Sequence, residues 1–193
     1  MSFETGTQSE TMYSLPAPVT KNTYTAIAVI SAPAATAPVA KIRGGLLASV
    51  PNPVGRAFYL KAFGTIANTA AATFFPSLCF DTTAGTVANN NALYAATAPT
   101  AAITTLFGME AWITIQAAGE TGGTTLQVNG RWDQSILASA GVLSTAPFSQ
   151  QFQFSVTGLQ ESLTYYVELA GTWSASSVSN TTTLQQMFFW GLN

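Results

Sequence analysis

The chain has 193 residues, of which 7% are charged, and a formal net charge of -2. Ordinary soluble domains carry about 25% charged residues, so a surface this neutral points to faces covered by other subunits, the alternative being a β protein kept soluble by Thr, Ser, Asn and Gln alone. The six basic residues, spread from Lys21 to Arg131, form no patch able to neutralise a run of phosphates and no polybasic stretch, which excludes a nucleic-acid partner and an anionic membrane surface.

Residues 1–40 read as an extended N-terminal arm with a Pro/Ala linker. They are rich in Thr and Ser, and are punctuated by Pro16, Pro18, Pro33 and Pro38. Within them Thr23 to Ser31 has strand-like alternation, and Ala32 to Val39 is stiff and extended. The first ten residues, MSFETGTQSE, place Glu4 and Glu10 where a secretory signal needs positive charge and then an apolar core. Synthesis in a cytosol is the expectation.

Residues 41–193 read as one β domain. Lys41 to Val50 is a strand with a Gly44-Gly45 kink, and Pro51-Asn52-Pro53 is a turn. Gly55 to Ile66 is a longer strand with Phe58, Leu60, Ala62 and Ile66 on one face. Tyr59, Lys61 and Phe63 break a two-sided pattern there, as in a strand covered on both sides. Phe74 to Asp81 is a short strand, and residues 82–100 form a loop. Phe107 to Ala118, the turn Gly119 to Gly123, and Thr124 to Trp132 make a hairpin. Ser135 to Pro147 is a further loop.

Three strands then close the chain. In the first, Phe148, Phe152, Phe154 and Val156 alternate with Ser149, Gln151, Gln153 and Ser155. In the second, Leu163 to Trp173 alternates in the same way. The third ends in Met187-Phe188-Phe189-Trp190. Such an apolar terminus predicts an end pinned as a central strand or at a subunit interface rather than a frayed one. About eight regular strands with Gly, Pro and Asn turns, and no amphipathic helix, predict an all-β, jelly-roll-like β-sandwich carrying the arm.

The chemistry of an enzyme is missing. With no histidine and one cysteine, the chain has no Ser-His-Asp triad, no cysteine-pair zinc site and no intrachain disulfide. Cys79, in FFPSLCF, reads as a small buried hydrophobe. Glu110 and Asp133 flank one hairpin and are expected to approach each other or Arg131 as a surface ion pair rather than as a catalytic dyad. The loop Gly119-Glu120-Thr121-Gly122-Gly123 lacks the Lys-Ser/Thr of a phosphate cradle. No enzyme, cofactor or metal is expected.

The aromatics Trp112, Trp132, Trp173 and Trp190, with Tyr165 and Tyr166, are the better lead, as core or subunit-interface anchors or as a sugar-stacking platform. Candidate interface residues are Tyr13 and Tyr24 in the arm, Trp112 and Tyr166 on otherwise polar faces, and Phe189 and Trp190 at the apolar end. The segments AWITIQAAGETGGTTLQVNGRW and SLTYYVELAGTWSASSVSNTTTLQQMFFWGLN resemble the closing half of phage virion jelly-roll proteins. The shared pattern is a hairpin with a Gly-rich turn, then a Trp-Ser-x-Ala/Ser-x-x-x-Asn step, here Trp173 to Asn180, into a last strand. The resemblance covers residues 107–193. It implies a structural virion protein that decorates and stabilises a capsid, assembled in the host cytoplasm. Its partners would be itself, as a homotrimer, and the major capsid protein or another virion protein through the arm. The alternative is a receptor- or glycan-binding module of a phage head or tail fibre, marked by a concave, solvent-facing pair of Trp or Tyr.

Overall fold

Period-two alternation is written most plainly in residues 57–68, where every second side chain from Phe58 to Asn68 is buried. The computed structural model describes residues 10–22, 24–31, 40–42, 54–69, 72–93, 103–119, 121–137 and 148–192. All elements of the described residues are strands. The first four are β1 (Glu10–Ser14), β2 (Val19–Asn22), β3 (Ala28–Val29) and β4 (Lys41–Ile42). The others are β5 (Ala57–Asn68), β6 (Phe74–Asp81), β7 (Asn90–Ala92), β8 (Ile103–Ala117), β9 (Thr124–Leu137), β10 (Phe148–Leu159), β11 (Tyr165–Trp173) and β12 (Thr181–Leu192). The Gly44-Gly45 kink, the turn at 51–53, the linker at 32–39, most of the loop before Phe148 and the first nine residues of the arm lie outside the described residues.

The strands form two antiparallel sheets, so the all-β sandwich read from the sequence is the fold. The large sheet has seven strands in the order β1-β12-β5-β8-β9-β10, with β2 also on β12. The small sheet has five, in the order β3-β11-β6-β7, with β4 also on β11. The chain is nested: β5 pairs with β12 in one sheet and β6 with β11 in the other. The expected hairpin forms as β8 and β9, and with β10 it makes a three-strand meander within the large sheet. Gly122 takes φ 69° in the hairpin turn, a conformation that favours glycine.

One core joins the inner faces of both sheets. Phe58, Leu60 and Met109 from the large sheet meet Leu78, Phe80 and Leu169 from the small one, all fully buried. Cys79 is also buried, and burial pushes its thiol up to about 12, so it is inert. The apolar terminus is explained by its place. β12 lies between β5 and the pair β1/β2, and Met187 and Phe189 are fully buried, with Phe189 stacked on Phe58 at 5.6 Å.

The described part of the arm lies along the domain's own sheets. β1 and β2 both pair with β12. Tyr13, Leu15, Val19 and Ile30 contribute to the common core, and the Ile30 amide donates to the Leu169 carbonyl at 2.8 Å. The Trp173-to-Asn180 step also has a structural basis. Asn180 is fully buried; its side-chain carbonyl accepts from the Thr69 amide (2.8 Å) and hydroxyl (3.0 Å), and its amide donates to the Ala175 carbonyl (2.8 Å). A small polar residue here satisfies buried groups from two connections at once.

Candidate functional site

Strand register brings ten side chains into two rows on the outer face of the large sheet. The first row crosses β12, β5, β8, β9 and β10 as Trp190, Tyr59, Trp112, Asn129 and Gln153. The second, two residues along each strand, runs Phe188, Lys61, Glu110, Arg131 and Gln151. Directly opposed residues on one sheet face stand close enough for their side chains to touch. Each row therefore works as a unit, aromatic or charged at one end and amide at the other.

The aromatic part is a continuous ladder. Phe188 and Trp190 have ring centroids 5.4 Å apart, Trp190 and Tyr59 5.4 Å, and Tyr59 and Trp112 5.0 Å. Rings this close cannot lie side by side in one plane; they stack or tilt against each other, as their quadrupoles favour. The inner rings thus spend their faces on neighbours and are half-buried. Trp112, at the end of the ladder, is 45% exposed, the most of the four. Beyond it opens a cleft of about 600 Å³ lined by Glu110, Trp112, Asn129, Gly130, Arg131, Gln151, Phe152 and Gln153. Gly130 is required at its floor: a Cβ there would run into the Phe152 ring and the Glu110 backbone oxygen.

The charges of the second row are matched. Lys61 Nζ lies 2.9 Å from Glu110 Oε1, and Arg131 Nε lies 2.8 Å from Asp133 Oδ2. The Lys61 hydrogen bond, with help from Tyr59 and Arg131, holds the Glu110 carboxyl below the usual carboxylate range. Burial and the Glu110 carboxylate push the Tyr59 hydroxyl up to about 12, so it stays a donor. Glu110 and Asp133 each engage their own cation, so the two carboxylates form separate ion pairs.

The other interface candidates fall elsewhere. Tyr13 is buried in the core, and burial, then the Glu168 charge, push its hydroxyl up to about 12. Tyr24 is half-buried and donates to Thr182 Oγ1 at 3.2 Å. Phe189 is wholly inside. Tyr166 is half-buried on the small sheet with Val29, Ala84 and Val87. Tyr13 and Phe189 are paired across β1 and β12 inside the core, and on the outer face Trp112 and Trp190 are brought together through Tyr59 between them. Tyr59, Lys61 and Phe63 do not lie in a doubly covered strand: β5 alternates without a break, and these three are its outer face. Asn129, Gln151 and Gln153 carry a polar-face signal in the sequence, but only the β8–β9–β10 register sets them beside Trp112.

A second cluster sits under residues 82–89. Glu168 is fully buried, and both its carboxylate oxygens accept from the Gly85 amide at 3.1 and 3.0 Å. Asp81 beside it accepts from Asn89 Nδ2 at 3.1 Å. Burial, together with the Asp81 charge and against the Gly85 hydrogen bond, raises Glu168 to about 7. No group of three or more His, Cys, Asp or Glu residues suited to a metal occurs among the described residues.

No protein-family model matches the chain, and no curated protein matches it. Among solved structures it is similar to the CBM2 module of the evolved Dit of Lactobacillus casei BL23 phage J-1, at 10% identity over 97% of both chains with a TM-score of 0.32. A likeness this low brings neither ligand nor role to this chain.

Proposed function

We propose that the chain is a non-catalytic module of a virion that binds a glycan in the cleft beside Trp112. The observation that carries this reading is the exposed face of Trp112 at the end of an aromatic ladder, above a cleft walled by amides. A sugar ring has an apolar face of C–H groups and a rim of hydroxyls. The indole takes the first and the amides take the second, a division of labour suited to small polar ligands in partly apolar clefts. The virion setting rests on the sequence pattern of residues 107–193. The test is a glycan array followed by calorimetry on the best hit. Trp112→Ala is expected to abolish binding while leaving the fold intact; a protein that binds no glycan, or binds equally without Trp112, would sink the reading.

A second reading, capsid decoration as a homotrimer, is favoured by β10. This outer strand, Phe148–Leu159, pairs with β9 on one side and has no strand on the other among the described residues. Its sequence, FSQQFQFSVTGL, contains no charge and no proline. Charge and proline are two of the guards that natural edge strands carry against such pairing. A second copy or another virion protein can extend the sheet here through backbone hydrogen bonds. Light scattering of the purified protein tests it: a trimer that Gln153→Lys or Ser155→Pro dissociates supports it, and a monomer at all concentrations excludes it.

A further inference from the structure

We infer that the cleft beside Trp112 selects uncharged glycans and rejects acidic ones; this rests on the glycan-binding reading above. The first ground is which amides are free. Those with a structural task are occupied: Asn68 donates to the Ala72 carbonyl, Gln134 to Thr105 Oγ1, and Gln127 both donates to the Phe154 carbonyl and accepts from Ser155. The side chains of Asn129, Gln151 and Gln153 form no hydrogen bond with any described residue, and all three line the same cleft. A carboxamide offers an acceptor and two donors on one planar group. A sugar hydroxyl, itself donor and acceptor, matches it in either direction. A carboxylate or sulfate uses only the donors.

The second ground is that no positive charge is left over. Lys61, Glu110 and Arg131 stand in consecutive positions of one row, and Asp133 holds Arg131 from its own strand. Two cations and two carboxylates alternate, and they sum to zero. An acidic sugar entering the cleft meets Glu110 on its wall, and Arg131 is already paired with Asp133 at 2.8 Å. It would give up its hydration without gaining an unpaired cation, a loss that a neutral sugar does not incur.

The experiment is calorimetric titration with two panels of oligosaccharides of equal length, one neutral and one carrying sialic or uronic acids, each at low and high salt. Wild type is expected to bind members of the neutral panel with little change across salt, because no net charge is neutralised. Gln151→Ala/Gln153→Ala is expected to weaken that binding by at least about tenfold, equivalent to about 1.4 kcal/mol. Glu110→Gln and, separately, Asp133→Asn each leave a cation in excess and are expected to admit the acidic panel. Tight, salt-sensitive binding of acidic glycans by wild type overturns the inference and leaves the glycan-binding reading standing. Binding of neither panel removes both. Unchanged neutral binding by the double glutamine variant overturns the assignment of the amides.

Discussion

Trp112 on β8 stands directly opposite Asn129 on β9, with Tyr59 on its other side. The last ring of a stacked row therefore faces the first free amide, and the boundary between the aromatic and hydrogen-bonding halves of the cleft falls between two paired residues. Trp112 is 45% exposed and touches one ring of the ladder. Trp112→Ala should accordingly cost at most about 1 kcal/mol of stability. Thermal unfolding checks this: a large loss would make Trp112 a structural residue rather than a ligand-facing one.

Amides divide by task, and mutation should separate them. Asn180→Ala strands the Thr69 amide and the Ala175 carbonyl, and is expected to cost about 1–3 kcal/mol. Gln153→Ala, at an exposed side chain with no protein partner, is expected to stay within about 0.5 kcal/mol of wild type. Urea denaturation of the two variants side by side reads the contrast.

Glu168 gives the protein an unusual pH profile. Its carboxyl is raised from 4.5 to about 7 in the folded protein. Between those values the folded state holds a proton that the unfolded chain releases. Its contribution is fully present below about 4.5 and is lost as pH rises through about 7, with a slope of at most about 1.4 kcal/mol per pH unit. The chain has no histidine to add a titration of its own in that window. Melting temperature should therefore fall from pH 5 to pH 8, and Glu168→Gln should flatten the curve. A profile that rises across the same range would contradict the burial of this carboxyl.

Glycine tolerance should follow the space around each site. Gly130→Ala forces a Cβ into the Phe152 ring and the Glu110 carbonyl oxygen and is expected to cost about 1–3 kcal/mol and to deform the cleft. Gly108→Ala meets only the Phe63 ring, at 3.7 Å, an ordinary contact, and should be close to neutral. Chemical denaturation of the pair checks the packing at the β9–β10 step.

Much of this architecture is written locally. The alternation of Phe152, Phe154 and Val156 with Gln151, Gln153 and Ser155, the glycines of the β8–β9 turn, and the apolar Met187 to Trp190 all announce strands before any partner is known. Cross-strand register is not local. Tyr59 and Phe63 look like core residues because aromatic side chains usually are, yet they lie on the outer face, Tyr59 between Trp112 and Trp190 and Phe63 beneath the Lys61 ammonium. The ladder from Trp190 to Trp112 joins residues far apart in sequence, and only pairing through β5 reveals it. The packing of Tyr13 and Val19 against β12 is equally invisible in a polar, Pro-punctuated stretch, because a few buried side chains suffice to hold it. Lys61 and Glu110 illustrate the same gap: the sequence offers Asp133 or Arg131 as the partner of Glu110, and the register supplies Lys61 instead.

The most direct measurement is calorimetric titration of wild type and Trp112→Ala, both shown to be folded by their melting transitions, against the strongest neutral hit from a glycan array. A saturable wild-type isotherm that disappears in Trp112→Ala is the expected result. An isotherm unchanged by that substitution, or no glycan binding by wild type, would contradict the placement of the binding site in this cleft.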